Sequence, residues 1–319
     1  MSRRILFRLV TVGLAGAVGV SLLFLAPVIR RNVFPIYVRA PAHKVTGQSF
    51  LYDRLLGWRN IPGREATTFG QPLTINSRGL RGPEYPFEKP AGTRRILVLG
   101  DSYTWGYGVA DEELFTMLLE EKLVADGRAF EVLNCGVSGW GTDQEYLFFR
   151  EEGTRYSPDV VVLTFFFNDL SEVVASMMYG SAKPLFLNND LELGNVPVPP
   201  PWKKQELVVT DVNPFELVVA IMKELNGLCV RAGCRLVVMK FGNSLAPRSE
   251  RFLEMERRFE SLLARELDVP YLDLDEAFAQ NGPAGKKLVS VPDGHWNAAG
   301  HRETALALYR FLVDNRLLE

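Results

Sequence analysis

From Arg94 onward the chain alternates short, nearly all-apolar runs with longer amphipathic ones, and few folds accept that order. The apolar runs fall at 95–99, 130–134, 160–166, 235–241 and 269–272; amphipathic helices are predicted at 112–125, 142–152, 214–232, 249–266 and 297–318. Strands apolar on both faces must be covered on both faces, and helical crossovers supply the cover. The prediction is an α/β domain over 93–319 with a mostly parallel sheet in three layers. A length of 319 residues allows one large core, or a core with a small appendage.

A second constraint lies at the N-terminus. Residues 9–29 carry no charge and are flanked by Arg3, Arg4 and Arg8 on one side and Arg30 and Arg31 on the other. At ~1.5 Å per residue such a run spans about 30 Å as a helix, enough to cross a bilayer. No Ala-x-Ala site marks its exit, so a retained anchor is favoured over a cleaved signal peptide. Residues 1–31 are therefore expected to be a cytoplasmic tip and transmembrane anchor, with the catalytic domain periplasmic or extracellular. Residues 32–92, rich in Gly, Pro and Arg, read as a stalk or cap of short strands, with a hairpin closed by Gly70-Gln71 between 53–59 and 73–81.

One segment breaks the alternation. Residues 170–213 form a long insertion with a hairpin turning on Asn188-Asn189, followed by a proline run from Pro197 to Pro201. Because it leaves the sheet just after Asn168-Asp169, a substrate-covering role is expected of it. A net charge of −2 leaves no basic footprint for nucleic acid. Three cysteines make no disulfide framework; Cys229 and Cys234 stand close enough in sequence for a local bridge, but two unpaired buried thiols are the favoured reading. No metal or organic cofactor is implied.

The chemistry gathers at the ends of the strands. The run Ile96-Leu97-Val98-Leu99 stops at Gly100-Asp101-Ser102, which places Ser102 on a strand-to-helix turn at the edge where open α/β sheets bind ligands. A serine nucleophile needs a base. Of three histidines, His43 lies in the stalk, His301 falls inside the last helix as a packing residue, and His295 precedes Asn297, a natural N-cap. His295 is thus the candidate base, and Asp293 can accept from its Nδ1–H and stabilise the imidazolium. The developing oxyanion needs donors. Gly136 follows the second strand and Asn168 the third, so their N–H groups can converge with that of Ser102.

These blocks, Gly100-Asp101-Ser102, Gly136, Asn168-Asp169 and Asp293-Gly294-His295, resemble in order those of the SGNH/GDSL hydrolases. The resemblance covers about residues 94–318. It implies a flavodoxin-like three-layer α/β/α fold with Ser102 as nucleophile, His295 as base and Asp293 as orienting acid. Gly136 and Asn168 would complete the oxyanion hole with Ser102. Two departures stand out. Phe166 occupies the position two before Asn168 where the family usually has Gly, and the last block is Asp-Gly-His rather than Asp-x-x-His. The shorter block, followed by Trp296, is similar to periplasmic acetyltransferases of exported polysaccharides such as alginate.

Together these readings predict a membrane-anchored serine esterase or O-acyltransferase acting on an acylated, chiefly acetylated, glycan. Its partners would be the acyl ester and, through residues 9–29, the membrane. A lipase or thioesterase at the membrane surface is the main alternative, since Trp105, Tyr107, Trp140 and Phe165 to Phe167 would also suit an acyl chain. A catalytically silent glycan-binding assembly factor is the third.

Overall fold

A computed structural model describes residues 37–39, 45–46, 49–242, 250–280, 288–290 and 294–319. Five strands build the central sheet: β1 (Arg94–Leu99), β2 (Phe130–Asn134), β3 (Val160–Phe166), β4 (Arg235–Phe241) and β5 (Tyr271–Asp273). Their order is β5-β4-β3-β1-β2, and every neighbouring pair is parallel. Read from the other edge this is 2-1-3-4-5, the flavodoxin-like order whose chain reverses direction across the sheet between β1 and β3. The C-terminal ends of those two strands therefore border a crevice.

Side-chain alternation divides the core. Leu97, Leu99, Val161 and Leu163 point to one face, where α3 (Thr142–Glu151) and α5 (Pro214–Ala232) cover them with Leu147, Phe149, Leu217 and Ile221. Ile96, Val98, Val160 and Val162 point to the other, against Phe115, Leu119 and Leu123 of α2 (Phe115–Ala125) and Leu308 and Leu312 of α8 (Ala298–Asp314). Two short helices, α1 (Ser102–Trp105) and α4 (Asp169–Glu172), start at the ends of β1 and β3. The longer α6 (Glu250–Glu266) and the shorter α7 (Leu274–Gln280) complete the layers.

The membrane anchor does not carry over from the sequence reading. Among the described residues no helix is long and apolar enough to cross a membrane. The longest, α5, carries Glu216, Lys223, Glu224 and Arg231 and buries only one apolar side in the core. The anchored localisation and the membrane partner, with the lipase-at-a-membrane setting, are withdrawn with it. Residues 9–29 themselves lie outside the described residues, as do His43 and Asp293.

Local structure departs from the predicted elements where a residue cannot bond as the pattern assumes. The last strand begins at Tyr271 instead of residue 269, since Pro270 has no N–H and contributes only its carbonyl, to Val238 N–H. The hairpin at Gly70 forms, but its first strand is Arg64–Thr68, paired with Gln71–Ile75. Residues 53–59 instead turn back on themselves, because Asp53 Oδ1 accepts from the N–H groups of Leu55 and Leu56. Residues 50–92 share the main core, to which they contribute Phe50, Leu56, Trp58, Leu80 and Tyr85. In the insertion, Leu187 N–H donates to Glu192 and Gly194 N–H to Leu185, closing the short turn at Asn188. Cys229 and Cys234 are free, buried thiols.

Candidate active site

Gly100 lets the chain leave β1 tightly. A Cβ there would overlap the hydroxyls of Thr164 and Thr104, which hydrogen-bond each other at 2.6 Å directly beneath it. Asp101 then caps α1, its Oδ1 accepting from Tyr103 N–H at 2.8 Å. Burial pushes the Asp101 carboxyl up to about 7. Ser102 is the first residue of α1, so its N–H is one of the donors that the helix itself leaves unpaired.

The sheet edge brings Ser102 and His295 together across 193 positions of chain, with Oγ 2.8 Å from Nε2. A general base must stand within such reach of the proton it takes. The His295 loop is tight: Ser290 N–H donates to the His295 carbonyl at 2.7 Å, and Gly294, at φ +84°, returns its N–H to Ser290. Two tyrosines flank the imidazole, Tyr103 at 4.7 Å and Tyr107 at 4.6 Å between ring centroids. Trp296, fully buried, packs against Tyr103 and Phe241 behind the loop. Asn297 caps α8 as the sequence suggests, accepting from Ala299 and Gly300 N–H.

His301 stands apart from this pair. Its Nδ1 accepts from Phe115 N–H at 3.2 Å, and burial, with Arg81 and His295 nearby, holds its pKa down to about 3. It is a neutral packing residue, as its place within the last helix implied.

The two oxyanion candidates sit at the ends of β2 and β3. Gly136 is needed for close approach, since a Cβ there would overlap Trp105 N at the end of the nucleophile's helix. Its N–H donates to Asn134 Oδ1 at 3.0 Å, so an oxyanion would have to share that donor or draw it away. Asn168 is half-buried, and its Nδ2 donates to Glu172 Oε1 at 2.9 Å, which leaves the second N–H of the same amide for another acceptor.

Sequence reasoning missed the residues that hold this edge in place. Arg81, fully buried, donates to the carbonyls of Trp105, Gly106 and Val109 and pairs with Asp111 at 2.8 Å, thereby capping the C-terminal end of α1. Asn60, also buried, accepts from Trp105 Nε1 and donates to the Gly136 carbonyl, tying the nucleophile's helix to the glycine loop. Their only signal in sequence is a polar residue among turn residues, which surface loops share.

Beneath Asn168 lies a buried charge cluster. Asp143, Glu145, Asp169 and Glu172 are all buried, with Lys183 of the insertion as the fully buried cation among them. Lys183 Nζ is 2.8 Å from Asp143 Oδ1 and 2.9 Å from the Glu172 carbonyl. Burial, with mutual repulsion for Glu145, Asp169 and Glu172, raises all four carboxyls above their usual range. Glu145 has neither oxygen hydrogen-bonded among the described residues.

The model of the GDSL-like Lipase/Acylhydrolase family matches residues 98–303. The chain belongs to this family. Its members are ester hydrolases of the GDSL/SGNH type, and the matched stretch runs from the nucleophile's strand through His295 into α8. The match is to the family as a whole and carries no mark of an acetyltransferase branch. No curated protein matches the chain in sequence. Among solved structures, the psychrotrophic esterase EstA from Pseudoalteromonas sp., inhibited by monoethylphosphonate, is 15% identical with a TM-score of 0.50, covering 70% of this chain and 98% of that one. A mutant of Axe2, an acetyl-xylooligosaccharide esterase from Geobacillus, is 17% identical with a TM-score of 0.48, covering 69% and 94%. TesA is 13% identical with a TM-score of 0.46, covering 69% and 98%. At 15% identity, the likeness to EstA shows the fold alone.

Proposed function

We propose that this acylhydrolase is a serine esterase that forms an acyl-enzyme on Ser102 and acts on short-chain, chiefly acetyl, esters of a hydroxyl-bearing carrier such as a glycan. The observation that carries the reading is the 2.8 Å contact between Ser102 Oγ and His295 Nε2 at the switch point of the sheet. Ser102 Oγ attacks the ester carbonyl carbon as His295 Nε2 takes its proton. The carbonyl oxygen, now an anion, is held by the Ser102 and Gly136 N–H groups and an N–H of the Asn168 amide. Collapse breaks the ester C–O bond, and the imidazolium returns its proton to the departing alkoxide. Water then attacks the acyl-serine as His295 takes one of its protons; the Ser102 Oγ–acyl bond breaks, the imidazolium returns the proton to Oγ, and the acid leaves. Asp293 is assigned the orienting role at Nδ1.

The preference for a short acyl group is supported by the aromatic wall beside the pair. Phe166 stacks on Phe241 at 5.0 Å and lies tilted against Tyr103 at 5.1 Å, occupying the strand edge two residues before Asn168. Transfer to a sugar hydroxyl, the finer expectation from Asp293-Gly294-His295-Trp296, differs only in what attacks the acyl-serine. The test is p-nitrophenyl acetate turnover by wild type and Ser102→Ala, with and without oligosaccharide acceptors. Turnover that survives in Ser102→Ala removes the proposal; acetyl found on the sugar selects transfer over hydrolysis.

A further inference from the structure

Asn168 can stabilise an oxyanion only if its amide presents N–H to the substrate, and rotating the amide by half a turn would present a lone pair instead. The two orientations have nearly the same shape, so packing alone does not choose between them. The choice falls to the groups that bond the amide, and here that group is Glu172 Oε1, 2.9 Å from Asn168 Nδ2. The same oxygen accepts from the Tyr179 hydroxyl at 2.7 Å. An oxygen that accepts from Tyr179 offers lone pairs and no proton, so it bonds the amide nitrogen and not the Asn168 carbonyl.

Glu172, near the start of the 170–213 insertion, is held by residues further along it. Its side chain takes the Tyr179 hydroxyl, and its backbone carbonyl takes Lys183 Nζ at 2.9 Å. Lys183 is in turn paired with Asp143 at the start of α3. Tyr179 and Lys183 both belong to residues 170–213, so the segment expected to cover substrate reaches back beneath the oxyanion donor. Tyr179 is half-exposed, with its backbone at φ +51°, a conformation that few side chains adopt, and its hydroxyl reaches Glu172.

We propose that Glu172 and Tyr179 are positioning residues that fix the Asn168 amide with its N–H toward the oxyanion, so that the insertion completes the catalytic edge from below. This rests on the reading of Asn168 as an oxyanion donor. The insertion thereby acts on the chemical step, through the transition state, and not on substrate affinity.

The experiment is a double-mutant cycle on p-nitrophenyl acetate, read as kcat and KM separately. Tyr179→Phe keeps the half-exposed ring and removes only the hydroxyl. It is expected to lower kcat about 5- to 10-fold with KM unchanged, a fraction of the roughly 100-fold expected for Asn168→Ala. In the Asn168→Ala background, Tyr179→Phe should cost nothing further. Glu172→Gln, which keeps an acceptor oxygen, should restore most of the kcat that Glu172→Ala loses. The proposal is overturned if Tyr179→Phe leaves kcat at the wild-type value, or if its cost persists undiminished without Asn168. Those two results leave the oxyanion reading intact. If Asn168→Ala itself leaves kcat unchanged, the oxyanion reading fails and the positioning role falls with it.

Discussion

The Tyr103 hydroxyl donates to the Gly294 carbonyl at 3.2 Å while its ring lies against His295, so the residue after the nucleophile holds the loop that carries the base. Nucleophile and base are thus kept in register by one side chain. Tyr103→Phe retains the ring contact and loses the hydrogen bond. Its stability cost should be about 0.5–1.5 kcal/mol, and kcat/KM should fall several-fold as the imidazole gains freedom. Denaturant unfolding and steady-state kinetics on the same variant check both halves.

Ser102→Ala and His295→Ala should each reduce ester turnover by at least about 10³-fold, and the double variant should be little worse than either alone, because the two act as one unit. Covalent labelling by a phosphonate ester should follow the same pattern. Labelling of Ser102→Ala at the wild-type rate would point to another nucleophile.

Arg81 is a fully buried cation whose loss would leave the carbonyls of Trp105, Gly106 and Val109 without their donor. Breaking such a pair costs about 3–5 kcal/mol. Arg81→Ala should therefore lower the unfolding free energy by that amount and reduce kcat at temperatures where the variant is still folded. A variant as stable as wild type would show that α1 does not depend on this cap.

Asp101 makes stability depend on pH with a definite sign. Its carboxyl keeps its proton to about 7 in the folded chain but releases it near the ordinary 3.8 when unfolded. Between those values the folded state binds more protons, so this group's contribution falls as pH rises from about 4 to 7. Asp143, Glu145, Asp169 and Glu172 act in the same direction, all raised by burial. His301, depressed to about 3, acts oppositely: its contribution is lost as pH falls below the unfolded histidine range. Asp101→Asn, which can still cap α1, should raise Tm relative to wild type at pH 8 more than at pH 4. Equal shifts at the two pH values would remove the linkage.

Phe166→Ala should open the aromatic wall next to Tyr103 and Phe241. The ratio of kcat/KM for p-nitrophenyl butyrate over acetate should rise by about 10-fold, in keeping with what a methylene or two is worth in an apolar pocket. An unchanged ratio would place the acyl group elsewhere.

Much of this protein was legible before any coordinates. Alternating apolar and amphipathic runs specify a parallel sheet between two helical layers, because a strand apolar on both faces has no other stable setting. The stops at Gly100-Asp101-Ser102, Gly136 and Asn168 mark where strands end, and strand ends in such sheets share one edge. The Asn297 cap was readable because capping is local.

The tertiary structure alone decided which charges are buried and what they hold. Arg81, Lys183 and Glu172 look in sequence like any surface charge, since periodicity reports apolarity and not the partners that make burial of a charge tolerable. For two of them the partners arrive from distant segments, as Arg81 meets the carbonyls after α1 and Lys183 meets Asp143; Glu172 meets Asn168 and Tyr179 from within its own loop, along a path that periodicity does not report. The strand order and the 2.8 Å meeting of Ser102 with His295 were likewise decided by packing between distant segments. Local preference sets where each element starts and stops, whereas long-range packing sets which polar groups face one another.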